Sequence, residues 1–313
     1  MSMREFFHLM QIVDDFDDAE AHYKALLGMD IFGPKHWSDF DKRWASLGTV
    51  GREFVFEIME PSKDEADFGS PLPKFLNRHG QHLHSLSWYY DNDEIGAFAE
   101  RLTAAGIRVI DPYPDTEDFA GRTKTIFTHP KDSFGQMEFQ GIVVGGDSES
   151  RMKAPHLDPD WTGEWWRDEF PLGLIGVSHI TTIVDDMDRA RSFWSELLDG
   201  VIFHEETGPD RSSCFVAVST AIPGREIVVE LAQPTDPDSL IGQDQAGHGN
   251  IPHAMNLRVK DLDAARAHVE GIGFNIIENS DEAFLIDPAN LANGVVYCTT
   301  RPLPNDPRGW ING

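Results

Sequence analysis

The chain has 313 residues, a length that suits two domains of ordinary size, and its 40% hydrophobic and 25% charged residues are the mix of a globular protein with a sizeable core. Its 53 Asp and Glu against 26 Lys and Arg give a formal net charge of −27, a field that repels a phosphate backbone or an anionic membrane surface, so nucleic acid and membrane are not expected partners. No apolar run approaches a membrane span, the first five residues lack the regions of a signal peptide, and Cys214 and Cys298 make no disulfide framework, so the expected address is the cytoplasm.

In chain order, an apolar run containing His8 ends at Asp14 and Asp15, an acidic pair able to cap a helix. Ala19, Tyr23, Leu26 and Leu27 follow at i, i+4, i+7 and i+8, one apolar face of an amphipathic helix that Gly28 stops. Strand-length runs come next at Met29–Phe32, Trp44–Leu47 and Glu53–Met59. A weaker copy opens at His84, continues as a helix over 93–105, and closes with strands near Ile107–Ile110, Thr123–Thr128 and Gln136–Gln140. The first pattern then returns: HLMQIVDD from His8 to Asp15 matches HITTIVDD from His179 to Asp186 at an offset of 171, which also sets Ala190, Trp194, Leu197 and Leu198 on the first helix face. Gly200 is the expected stop, and strands are expected at Val201–Glu205, Cys214–Val218 and Glu226–Leu231. A last weak copy opens at Ala254, has a helix to about Gly271, and ends in strands near Phe274–Ile277, Ala283–Ile286 and Gly294–Cys298.

Four strand–helix–three-strand units in two pairs is the α+β architecture this predicts. The first domain spans 1–140 (units 1–60 and 80–140) and the second 173–302 (units 173–233 and 250–300), with a tail over 303–313. A Trp- and Pro-rich strap over 141–172 joins them, and its Trp161, Trp165 and Trp166 are expected to pack across the junction.

Polar residues recur in the register of the units. His8 and Glu57, His84 and Glu138, and His179 and Glu230 open and close three of them, 49, 54 and 51 residues apart. The fourth unit breaks the pattern, with Ala254 in the His register and Tyr297 or Cys298 near the Glu register. A carboxylate amid apolar strand residues is expensive to bury without a partner; a divalent cation removes that cost, and imidazole with carboxylate is a normal ligand set for one. His8, Glu57, His84 and Glu138 suit one six-coordinate ion with two open positions. Each taken singly reads more simply as an exposed strand residue; their coincidence in register carries the metal reading. Trp37, Phe40, Trp44, Trp88 and Tyr90 would frame an apolar or aromatic substrate, with core packing as the plainer alternative.

The unit with His in its first strand and Glu in its last resembles the vicinal oxygen chelate superfamily, which includes glyoxalase I, methylmalonyl-CoA epimerase, fosfomycin and bleomycin resistance proteins and extradiol dioxygenases. The resemblance covers nearly the whole chain apart from the strap. It implies paired units curved into a cup around a metal that chelates adjacent oxygens of a small-molecule substrate. On that resemblance His8, Glu57, His84 and Glu138 match the metal positions of bacterial glyoxalase I, for Zn, Ni, Co, Mn or Fe(II). His82, two residues from His84 on the same strand face, is the rival ligand. The second half resembles a degraded site: His179 and Glu230 fit, Ala254 replaces the second His, His253 is one residue out of register, and no carboxylate fills the fourth position. A non-metallated second half argues against an ordinary extradiol dioxygenase, whose metal lies there.

Three functions stay open. Two His and two carboxylates suit an isomerase, lyase or epimerase that moves a proton beside a metal-bound oxyanion, with Glu57 and Glu138 as candidate bases. The likeness to glyoxalase I favours Glu138. His8, His84 and Glu138 alone would suit an Fe(II) ring-cleaving dioxygenase. The third is a metal-free, ligand-sequestering protein. Arg52, Arg122 and Lys124 form no cluster for a coenzyme A phosphate, and a homo-oligomer is left open.

Overall fold

A computed structural model describes residues 3–39, 42–111, 124–142, 158, 160–218 and 226–312; Phe40, Arg122 and most of the strap before Asp160 lie outside these. β1 (Met3–Ile12) runs into α1 (Phe16–Leu27), whose first turn is capped by the Asp15 carboxylate accepting from the Asp18 N–H at 3.0 Å. Gly28 ends the helix at φ +61°, the left-handed conformation glycine takes without a steric penalty. β2 (Asp30–Ser38), β3 (Arg43–Val50), β4 (Phe54–Pro61), α2 (Pro71–His79), β5 (His82–Asp91), α3 (Ile95–Ala104), β6 (Val109–Ile110), β7 (Thr125–Thr128), α4 (Pro130–Ser133) and β8 (Gln136–Ile142) complete the first half. Its eight strands form one sheet in the order β2-β3-β4-β1-β5-β8-β7-β6.

After α5 (Glu164–Asp168) the second half repeats the plan with β9 (Leu174–Ile183), α6 (Met187–Ser192, continued by a π-helical turn), β10 (Val201–Thr207), β11 (Arg211–Val218) and β12 (Ile227–Pro234). Then come α7 (Leu240–His248), β13 (Pro252–Val259), α8 (Leu262–Gly271), β14 (Ile276–Asn279), β15 (Ala283–Ile286) and β16 (Val295–Thr299). The second sheet has the same order, β10-β11-β12-β9-β13-β16-β15-β14. Asp186 caps α6 as Asp15 caps α1, but Asp199 (φ +50°), not Gly200, makes the left-handed turn after it. Gly200 is needed for another reason: a Cβ there would sit 2.4 Å from Val216 Cγ1.

One face of each sheet feeds a single apolar core that draws on both halves. Phe54, Phe56 and Ile58 alternate along β4 on this face, with Leu86, Trp88 and Tyr90 on β5 and the apolar stripes of the helices. Trp88 meets Trp194 edge-on at 5.7 Å, and Gln11 Nε2 donates to the carbonyls of Leu291 and Ala292. Trp88 and Tyr90 are therefore core residues, and the expectation that they line a substrate pocket is corrected: strand alternation turns them away from the opposite face. Trp166 joins this core and donates to Leu27 O, Trp161 donates to Gly51 O, Trp165 stays exposed, and Asp168 pairs with Lys260 while Phe170 packs on His268, so the described part of the strap touches both halves. The C-terminal segment is packed, with Arg308 buried and donating to Val177 O and Ser178 O.

The opposite faces carry small clusters covered by two helices not anticipated from the sequence. Leu76 of α2 packs on Met10, Ile12, Ala45 and Met59; Ile241 of α7 packs on Ile183, Ala232 and Ile251; Phe75 of α2 touches both clusters. No helix among the described residues is long and apolar enough to cross a membrane.

Candidate functional site

Strand register fixes which residues face one another. Across β1 and β5, His8 pairs with Ser87 and Met10 with Ser85, while Glu57 on β4 lies beside Met10 and Glu138 on β8 beside Ser87. The local twofold that exchanges the two units thus carries Glu57 onto Glu138 and His8 onto Ser85. Bulges interrupt the β1–β5 ladder at Phe7 and at His84, the extra residue between Leu83 and Ser85.

His8 Nε2 stands 3.3 Å from an oxygen of Glu57 and 3.3 Å from an oxygen of Glu138, and all three side chains are buried. Arg43, at the start of β3, donates to the other Glu57 oxygen at 2.5 Å. Burial opposes the charge on Glu57, but Arg43 and His8 outweigh it and hold the carboxyl below its usual range. Glu138 contacts His8 alone by ion pair or hydrogen bond among the described residues. The Tyr89 hydroxyl is buried with no hydrogen-bond partner among them; burial, then Glu5, Glu138 and Glu57, push its ionisation well above the usual value. Neither His8 ring nitrogen makes a hydrogen bond of normal geometry among the described residues. Donors about 2.0–2.2 Å from a shared ion stand roughly 3 Å apart. An unclaimed imidazole facing two buried carboxylates at 3.3 Å offers donors of the right chemistry for a divalent cation, but among the described residues only His82, Asp244 and His248 bring three ligand atoms within 4.8 Å of one another, so Glu57 and Glu138 would have to draw together around an ion.

The second imidazole expected in this set, His84, is the bulged residue and not the one in the register of His8, though Glu57 and Arg43 both act on its charge. His84 faces Ser85 Oγ (3.0 Å) and packs edge-on against Phe75, and its charged form is disfavoured by burial, then His82 and Arg43, which push it down to about 3. The physical reason is the bulge: it makes Ser85, not His84, the counterpart of His8. His82, the rival, is turned to Asp244 at 2.9 Å. Trp37 and Trp44 pair at 5.4 Å on β2 and β3 and remain partly exposed.

In the second half the corresponding register sets His179 against Asn256 and Thr181 against Ala254, with Glu230 beside Thr181 and Tyr297 beside Asn256. His179 is 3.4 Å from Glu230. Glu230 also accepts from Arg211 (2.8 Å), Ser213 (2.5 Å) and Thr181 (2.6 Å), which satisfies its carboxylate without an ion. His253 is the bulged residue of β13, the structural equivalent of His84, and its Nδ1 is taken by Asp244. A cavity of about 150 Å³ lined by Arg211, His253 and Tyr297 lies here.

Arg43 and Arg211 went unrecognised in the sequence. Their signal is that both open the third strand of a unit, as RWASLG and RSSCFV, in matching register with Pro61 and Pro234.

The sequence matches the family model described as Glyoxalase/Bleomycin resistance protein/Dioxygenase superfamily over residues 7–127 and 178–284. Among solved structures the chain is similar to a variant of 4-hydroxymandelate synthase from Streptomyces coelicolor, at 12% identity and a TM-score of 0.64, covering 96% of this chain and 94% of that one. It is also similar to 2,2',3-trihydroxybiphenyl 1,2-dioxygenase from Sphingomonas wittichii strain RW1, at 14% identity and a TM-score of 0.56, covering 98% and 94%. Methylmalonyl-CoA epimerase from Mycobacterium tuberculosis is matched at 24% identity and a TM-score of 0.38, covering 45% of this chain and 89% of that one. The two full-length likenesses show a shared fold, two such domains in tandem. No curated protein matches the sequence.

Proposed function

The chain belongs to the glyoxalase/bleomycin resistance protein/dioxygenase superfamily, and on that premise we propose that its first half is a metal-dependent enzyme that moves a proton on a small oxygenated anion, as an isomerase, lyase or epimerase does. The observation that carries this reading is the asymmetry of two buried carboxylates around one imidazole: Glu57 is clamped by Arg43, and Glu138 is not.

His8, Glu57 and Glu138 would hold the ion, which supplies a Lewis acid that draws charge from substrate oxygens and acidifies the neighbouring C–H. Arg43 fixes Glu57 and offsets its charge, so Glu57 is an anchor. Glu138 is the carboxylate free to take a proton on an oxygen and return it. The Tyr89 hydroxyl, kept protonated by burial and nearby carboxylates, donates to a developing negative oxygen of the substrate. Trp37 and Trp44 offer the apolar part of the substrate a partly exposed aromatic surface. An oxygen-activating set of two imidazoles and one carboxylate would require a His at Ser85. The second half, with Glu230 neutralised by Arg211, is assigned no ion of its own in its cup.

The test is C–H exchange in D2O, followed by proton NMR, on a panel of small carboxylates and ketones bearing adjacent oxygens. Wild-type protein should wash out one C–H signal, and Glu138→Gln should not. Undiminished exchange in Glu138→Gln would overturn the assignment of the base.

A further inference from the structure

We propose a second metal site at the junction of the halves, where His82 of β5 and Asp244 and His248 of α7 form a three-donor site for a zinc-like divalent ion, with His253 of β13 holding the other oxygen of Asp244. Ligand atoms of His82, Asp244 and His248 lie within 4.8 Å of one another. His82 Nε2 is 2.9 Å and His248 Nδ1 is 2.7 Å from Asp244 Oδ1, and His253 Nδ1 is 2.5 Å from Oδ2. The far nitrogens of two of these rings are already committed: His82 Nδ1 stands 2.6 Å from Leu83 O, and His248 Nε2 stands 3.2 Å from His79 O.

A carbonyl oxygen only accepts, so those far nitrogens carry the N–H. In neutral rings the near nitrogens of His82 and His248 are then lone pairs aimed at a carboxylate oxygen. Charging both rings instead sets two imidazolium cations with centroids 4.3 Å apart in a largely buried cluster. One cation at the point of convergence uses both lone pairs and the carboxylate together. Donation of the far N–H to a backbone carbonyl is also how metal-bound imidazoles are oriented. Donors about 2.0–2.1 Å from an ion stand about 3.3 Å apart, so the His82 and His248 contacts with Asp244 Oδ1 open by less than about 1 Å on loading. Three protein donors leave one tetrahedral position for solvent. The site shares no ligand with the cup around His8. Because His82 comes from the first half and Asp244 and His248 from the second, the ion ties the halves together.

The experiment uses chelator-treated full-length protein reloaded with Zn(II) or Co(II). Metal per chain is compared for wild type, His248→Gln, Asp244→Asn and His8→Ala. Each junction variant should hold one ion fewer than wild type, and His8→Ala should lose a different one. The intense visible absorption of tetrahedral Co(II) should persist in His8→Ala and vanish in His248→Gln, the variant that disturbs folding least because His248 is the most exposed of the three donors. Zn(II) should raise the melting temperature of wild type more than that of His248→Gln. Equal metal content and an unchanged Co(II) spectrum in His248→Gln would overturn the proposal. A single ion that only His8→Ala removes would overturn it too, while leaving the cup reading intact.

Discussion

Glu57 and Glu230 occupy the same register position in the two halves, yet they are satisfied differently. Both are gripped by an Arg, Arg43 or Arg211. Glu230 gains two further donors, Ser213 and Thr181, whose places beside Glu57 are held by Ala45 and Met10. Replacing both hydroxyls by apolar groups leaves the first carboxylate short of partners, which is why a cation is assigned there and not in the second half.

Glu230→Gln and Glu57→Gln should therefore fail in different ways. The first leaves Arg211 with Asp210 as its remaining carboxylate and should cost about 2 kcal/mol of stability, read as a lower urea midpoint. The second should lower metal content with a smaller loss of stability. Equal urea midpoints for the two variants would count against the distinction.

His84→Ala should keep most of the metal that His8→Ala loses. The bulge assigns the position facing His8 to Ser85, and His84 packs on Phe75 instead. Metal loss as complete as in His8→Ala would make His84 a ligand after all.

Glu53 links the halves by accepting from the Val177 N–H, and burial raises its carboxyl to about 7 despite that bond and Arg308. With the folded value above the unfolded one, the folded state binds the extra proton between about 4.5 and 7. The resulting stabilisation is complete below that window and is lost as pH rises through it, by up to about 3 kcal/mol. Glu53→Gln should flatten this fall, so its melting temperature relative to wild type should rise from pH 5 to pH 8. A constant difference across that range would remove Glu53 from the account.

The repeated units were legible because capping and amphipathic spacing are local: the Asp that caps α1 and the Asp that caps α6 sit in the same string. That His8 lies beside Glu57 and Glu138 was legible through register; that the three hold an ion stays a proposal. What was hidden depends on a one-residue bulge, which no alternation of side chains announces. It set His84 against Ser85 and Phe75 in place of pairing across from β1, and its equivalent in β13 gave His253 to Asp244. α7 was missed because it has no apolar stripe in sequence, and α2, whose Leu72, Phe75 and Leu76 do fall at helical spacing, because it is short and carries Pro71 and Pro73; both are held by a few contacts with the sheet faces, through Leu76 and Ile241. Trp88 and Tyr90 were misplaced as pocket candidates because an aromatic strand residue looks the same from either face.

Metal content per chain in wild type and His8→Ala, measured side by side after reloading, tests the central claim most directly. The account predicts that His8→Ala holds one divalent ion fewer. Identical content in the two proteins would contradict it.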